Sequence, residues 1–175
     1  MIELPPTHRL REVLDFDPES GLFHWKPRGV TAWDRRWAGK RAFISDTHGY
    51  RTGSLFGETG VLAHRVAWKI HYGDDPRGEV DHINGDRADN RICNLRVVST
   101  KDNRRNAAIP RHNTSGSVGV RFKSEKRKWQ AYISEGNRYV HLGYFTSRDD
   151  AIAARKQAEV DRGFHPNHGR EARAR

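Results

Sequence analysis

The chain has 175 residues, with 32 Lys+Arg against 22 Asp+Glu, a net charge of +10 with histidine neutral and a pI near 10.2. No apolar run approaches the roughly 18 residues that a membrane helix needs, and the single cysteine, Cys93, excludes an internal disulfide and a cysteine-rich zinc site. The first ten residues carry no apolar h-region, so a secretory signal is not expected and a reducing, cytoplasmic compartment is.

Thr7 is placed to cap a short helix over 8–15, in which Leu10, Val13 and Leu14 recur at i, i+3 and i+4. Residues 17–21, Asp-Pro-Glu-Ser-Gly, read as a turn. Leu22-Phe23-His24-Trp25 reads as a strand. Residues 27–40 are punctuated by Pro27, Gly29 and Gly39 and read as loop. Short strands are expected over 41–45 and 50–56, with turns at 46–49 and 57–60. From Val61 to His71 the period changes. Ala63, Val66, Ala67 and Ile70 define one helical face, and Gly73 suits its C-terminal end.

Residues 79–86 read as a strand running into Asn84-Gly85, a hairpin signal. A second extended piece is expected over 95–98. Ser99 precedes Asp102 by three, a capping-box-like start. The helix it opens, over 100–107, has almost no apolar face and must be held by something other than its own burial. Residues 108–117 read as a linker. Strands follow over 118–123, 129–134 and 139–144, then a helix over 148–162 capped by Thr146 or Ser147. The tail after Gly163 is rich in Gly, His and Arg and is expected to fray. The fold class expected is α+β. The domains expected are a first domain over 1–107 with a ββα core at 79–107, the linker, a second domain over 118–163 and a flexible tail over 164–175.

The densest cluster of reactive side chains is Asp81-His82, then Asn94 eleven residues on, then Asn103 after eight more. Asp81 and Asn103 offer hard oxygen ligands, suited to Mg²⁺ or Mn²⁺ with retained waters. His82, with an ordinary pKa near ~6.5, is able to accept a proton from water at neutral pH. Asn94, at a hairpin-to-helix corner, is placed to bond the backbone of the loop that bears His82.

This ordered set resembles the HNH (ββα-metal) nuclease motif, in the phage and intron-homing form whose last position is Asn. The surrounding text carries the resemblance too: Ala63-His64-Arg65-Val66-Ala67-Trp68, Val80-Asp81-His82-Ile83-Asn84-Gly85-Asp86, Asp89-Asn90-Arg91-Ile92-Cys93-Asn94-Leu95-Arg96 and Asp102-Asn103. The segment from Asp17 to Trp25 resembles the leader of phage HNH proteins, less diagnostically. The resemblance implies His82 as general base, Asp81 and Asn103 as ligands of one divalent cation, and Asn94 as structural support. Arg65, Arg91, Arg96, Arg104 and Arg105 are candidate phosphate contacts, the alternative for most of them being backbone anchors or solvated surface. His64 is read as a support of the site, as a phosphate contact or as a packed, hydrogen-bonded histidine, and Cys93 as a small core residue.

Residues 1–103 hold 16 Lys+Arg and 15 Asp+Glu, whereas 104–175 hold 16 and 7. A basic half beside a nearly neutral one suggests a polyanion-binding module. Its three strands alternate an apolar face with a polar or aromatic one. The stretches Gly119-Val120-Arg121, Trp129-Gln130-Ala131-Tyr132-Ile133 and Leu142-Gly143-Tyr144-Phe145, followed by an Ala-rich helix, resemble an AP2 DNA-binding domain. That resemblance implies a base-reading sheet face bearing Arg121, Lys123, Tyr132, Ser134 and His141.

Together these features point to a metal-dependent DNA endonuclease, phage- or intron-encoded and acting in the host cytoplasm. Its partner is expected to be double-stranded DNA and not a membrane. With one set of site residues per chain, it is expected to nick as a monomer. The competing readings are a sequence-specific DNA-binding regulator with an inert nuclease core and a structural nucleoprotein.

Overall fold

The structure, a computed structural model, describes residues 3–104, 109–110, 112–135, 138–166 and 168–170, without the side chains of Lys101, Arg104 and Glu135. The chain divides into two compact units, Met1–Ser99 and Thr100–Arg175. The architecture mixes helices with small antiparallel sheets. Among the described residues no helix is long and apolar enough to cross a membrane.

The first unit opens with helix α1 (Thr7–Val13) and the hairpin of β1 (Leu14–Asp17) and β2 (Leu22–Trp25). Helix α2 (Thr31–Trp37) follows, then a three-stranded sheet of β3 (Ser45–Thr47), β4 (Tyr50–Leu55) and β5 (Glu58–Leu62). Helix α3 (Ala63–Tyr72) leads to the two-stranded sheet of β6 (Glu79–His82) and β7 (Leu95–Val98). One core holds the unit together. Ala63, Val66, Ala67 and Ile70 of α3 pack there with Leu10, Leu14 and Phe23, which is why the helical period is so clear between 61 and 71. Gly73 ends α3 in the left-handed region at φ 93°, a conformation that glycine adopts without steric cost.

Several expectations are corrected. Thr7 does not cap α1; its hydroxyl donates to the carbonyl of Gly73, 2.6 Å away, and so ties α1 to the end of α3. Residues 31–37 are helical rather than loop. Asp34 accepts from the backbone N–H of Arg28, and the Arg28 guanidinium lies 4.0 Å from the Trp33 ring centroid, so local polar contacts hold a helix that buries none of its residues. Residues 41–44 are not a strand; Arg41 forms only an isolated bridge with His24, and Phe43 sits at φ 54°. Residues 58–60, expected as turn, belong to β5. Asn84-Gly85 is not a two-residue hairpin turn. It opens a twelve-residue connection from β6 to β7 that contains a 3-10 turn at Ile92–Asn94.

The second unit contains α4 (Thr100–Arg104), a three-stranded sheet of β8 (Val120–Lys123), β9 (Lys128–Glu135) and β10 (Arg138–Phe145), and helix α5 (Arg148–Asp161). Val120, Ala131 and Ala151 form its buried core, with Trp129, Leu142, Phe145 and Ile152 packed around them. Ser147 caps α5 by accepting from the backbone N–H of Asp149. The division between the units falls at 99/100, whereas the sequence reading ends the first domain at 107. Residues 113–117, read as linker, are wound around Asn113. Its Oδ1 accepts from the backbone N–H groups of Ser115 and Gly116, and its Nδ2 donates to Ser117, whose side chain is buried with that of Ser115. Part of the tail is also built in. Phe164 N–H donates to Glu159 O, and Arg170 O accepts from Ile109.

Candidate active site

The antiparallel register of β6 and β7 places Asp81 opposite Arg96 and His82 opposite Leu95. Facing residues on adjacent strands pair readily. Arg96 donates through Nε and one terminal nitrogen to Asp81 Oδ2, at 3.0 and 2.9 Å. Asp81 and His82 are both buried, although β6 is only four residues long.

The connection that follows His82 is held by its own Asn and Asp side chains, which bond nearby backbone in place of a ladder. Asn94 Oδ1 accepts from the backbone N–H of Asn84 at 2.9 Å, and Asn94 Nδ2 donates to the carbonyl of Asp89 at 2.8 Å. Asn94 thus joins the first and middle parts of the loop. Asp89 accepts two bonds from the Arg91 guanidinium and one from Asn84 Nδ2. The Arg91 bonds, ahead of the backbone and Asn84 bonds, hold its carboxyl below the usual range.

Asn90, which sequence reasoning did not single out, is buried against the candidate base. The Nε2–H of His82 donates to its Oδ1 at 3.3 Å. In that tautomer Nδ1 carries the lone pair. Nothing in the Asp89-Asn90 text distinguishes this asparagine from Asn84 or Asn94, and only the course of the loop does so.

Two more rings wall the site. His64 of α3 lies edge-on to His82 with centroids 5.1 Å apart, and Tyr50 at the start of β4 packs on both, at 5.2 Å from His64 and 5.9 Å from His82. Burial lowers the pKa of His82 below its ordinary value, against the opposing influence of the Asn90 bond and nearby carboxylates. Burial, helped by His82 and Arg65, takes His64 down to about 3. Both imidazoles are therefore neutral at pH 7. His64 is only 5% exposed, and among the described residues its Nδ1 has no hydrogen-bond partner.

Of the other sequence candidates, Arg65 is half-buried with Nε unpartnered. Asn103 lies on α4, in the second unit. The side chain of Arg104 and all of Arg105 lie outside the described residues. Cys93, expected in the core, is exposed. It sits in the 3-10 turn beside Asn94, and it is Asn94 that faces inward. In the second unit the register puts Arg121 opposite Gln130, Tyr132 opposite His141, and Ser134 opposite Tyr139. Arg121 Nε donates to Gln130 Oε1 at 3.0 Å, and Gln130 Nε2 donates to His141 Nδ1 at 3.3 Å. The sequence reading puts Gln130 on this same polar face, and its amide links the other two members of the row. Lys123 pairs loosely with Glu125 at 3.7 Å.

Residues 61–105 match the family model described as HNH endonuclease. Over 88 residues the chain is 33% identical to Protein 3.8 of Escherichia phage T7, covering 49% of this chain and 69% of that protein. The chain therefore belongs to the family of that phage protein and carries an HNH endonuclease domain. No solved structure matches.

Proposed function

We propose that this protein is a metal-dependent endonuclease that hydrolyses DNA phosphodiester bonds, with His82 as general base. The observation that carries the reading is the setting of His82. It is a neutral imidazole whose Nε2–H is committed to Asn90, in a loop pinned by Asn94, directly after the carboxylate of Asp81. Nδ1 of such a ring takes a proton from water as the water attacks phosphorus. Asn90 fixes the tautomer and the ring plane. Asn94 keeps the loop from carrying the base away. Tyr50 and His64 wall the imidazole and keep it dry, which favours the neutral form.

Members of this class usually use a divalent ion. By the chemistry of their oxygens, the Asp81 carboxylate and the Asn103 amide would hold a hard cation, Mg²⁺ or Mn²⁺. Among the described residues no group of three or more His, Cys, Asp or Glu side chains is placed to cage a metal. When bound, the ion supplies charge stabilisation at the leaving oxygen. Arg96 holds the Asp81 carboxylate in one orientation.

The second unit is proposed as an AP2-like DNA-binding domain, with Arg121, Lys123, Tyr132, Ser134 and His141 on the reading face. The Arg121–Gln130–His141 row supports this, because hydrogen bonds along it preorganise polar groups at the sheet surface. One base per chain favours nicking by a monomer. The test is supercoiled plasmid with Mg²⁺, with Mn²⁺ and with excess chelator, for the protein and for His82→Ala. Nicking that requires the metal and falls by about 10²–10⁴ in the variant is expected, with DNA affinity retained. Metal-independent cutting, or an active variant, would reject the mechanism. A protein that binds one sequence tightly and never cuts is the regulator instead.

A further inference from the structure

Three arginines lie between His82 and the end of the motif, and they are not alike. Arg91 is neutralised by Asp89, and Arg96 by Asp81. Arg87 is exposed and, among the described residues, has no carboxylate partner. Its guanidinium donates to the backbone carbonyl of His48 at 3.0 Å and lies 4.7 Å from the centroid of the Tyr50 ring. A carbonyl and a ring face hold it in place without cancelling its charge. The same Tyr50 ring packs on His82 and His64, so Arg87 and the candidate base lie against one ring. Both anchors, His48 and Tyr50, belong to the β3–β4 hairpin, which lies before the matched segment 61–105.

We propose that Arg87 is a substrate contact, binding a backbone phosphate of duplex DNA beside the bond that His82 addresses. The inference rests on the nuclease reading for its substrate. A guanidinium suits this task because its fork of N–H donors matches two phosphate oxygens. One donor given to His48 and a ring beneath it restrict the side chain before DNA arrives, so less conformational freedom is lost on binding. The hairpin then has a function of its own, which is to present the cation that the motif loop carries. Asp89 and Asp81 remove Arg91 and Arg96 from the same role.

The experiment measures affinity for a short duplex across a salt series in a His82→Ala background, which prevents cleavage during titration. Arg87→Ala should weaken binding about tenfold at low salt, and should reduce the slope of log affinity against log salt by about 0.9, one phosphate. Arg87→Lys should keep the slope, since the charge stays. Arg91→Ala, already neutralised in the native loop, should leave the slope unchanged. Thermal melting of each variant separates loss of contact from loss of fold, and Arg87→Lys keeps the test open if Arg87→Ala melts early. An unchanged slope in Arg87→Ala overturns the proposal. So does an equal fall in Arg91→Ala, which would mark a general charge effect. Cleavage by the native chain is scored separately. If plasmid is cut and Arg87→Ala binds normally, this inference alone fails. If plasmid is never cut and the slope still falls, the nuclease reading fails and the contact stands.

Discussion

His82 and His64 share one buried pocket, and the cost of charging either is paid in folding stability. For His64 the sign is simple. Its pKa is near 6.5 in the unfolded chain and about 3 in the folded one, so between those values the unfolded state binds more protons. Stability is full above pH 6.5 and is lost as pH falls toward 3, by up to about 1.4 kcal/mol per pH unit. Urea denaturation at pH 7 and pH 5 should therefore show a smaller acid loss for His64→Phe than for the native protein. An equal loss would mean that His64 is not the group responsible. At this scale the sequence was legible where spacing carries the meaning. Asp81, His82 and Asn94 stand out because they follow one another in the order and spacing of the motif. Asn90 did not, because its importance comes from facing His82 across the loop. Cys93 was misread for a related reason. Residue type suggests burial, but in this 3-10 turn it is Ile92 and Asn94 that face inward, and Cys93 between them is left outside.

Among the elements, the β1–β2 hairpin is tied to the motif loop. Pro18 O accepts from the backbone N–H of Ile92 at 3.1 Å. Gly21, at φ 72°, comes so close that a Cβ would lie 2.4 Å from Arg91 N and 2.6 Å from Asn90 C. Both are backbone atoms, so Gly21→Ala must displace the segment that carries Asn90. A misplacement on the order of 1 Å at a reacting group costs about 10²-fold in rate. Gly21→Ala should accordingly lose cleavage by about that factor, with affinity for duplex little changed, as measured by steady-state nicking and by titration. Normal nicking would show that the hairpin does not hold the base. The leader text from Asp17 to Trp25 was readable as a turn and a strand, but its target was not, since the contact joins residues about seventy positions apart. Helix α2 escaped notice because its hold is local and polar rather than periodic. Strand β5 escaped because glycines at 57 and 60 read as punctuation, although Gly60 lies within the strand.

Over the whole molecule the charge follows the division into units. Met1–Ser99 carries 15 Lys+Arg and 14 Asp+Glu, whereas Thr100–Arg175 carries 17 and 8, a net of +9. Most of the DNA affinity should come from the second unit, but not all of its cations should act alike. Arg121 is bonded into the row with Gln130 and His141, whereas Lys126 stands in the turn after β8 with its Nζ 4.0 Å from the Tyr144 ring centroid. Arg121→Ala should relax preference for a selected site over scrambled duplex, and Lys126→Ala should weaken both equally. The comparison is made at one salt concentration. A preserved preference in Arg121→Ala would move recognition off this sheet. The alternation of the three strands was plain in the sequence, since a period of two survives any detail of packing. The order within 113–117 was not, because a polar segment can be knitted by one asparagine as readily as it can swing. Finally, the exposed Cys93 is the chain's one thiol. A maleimide dye attaches there and nowhere else, one residue from Asn94, so its emission becomes a native optical probe of the loop that holds the base as duplex arrives.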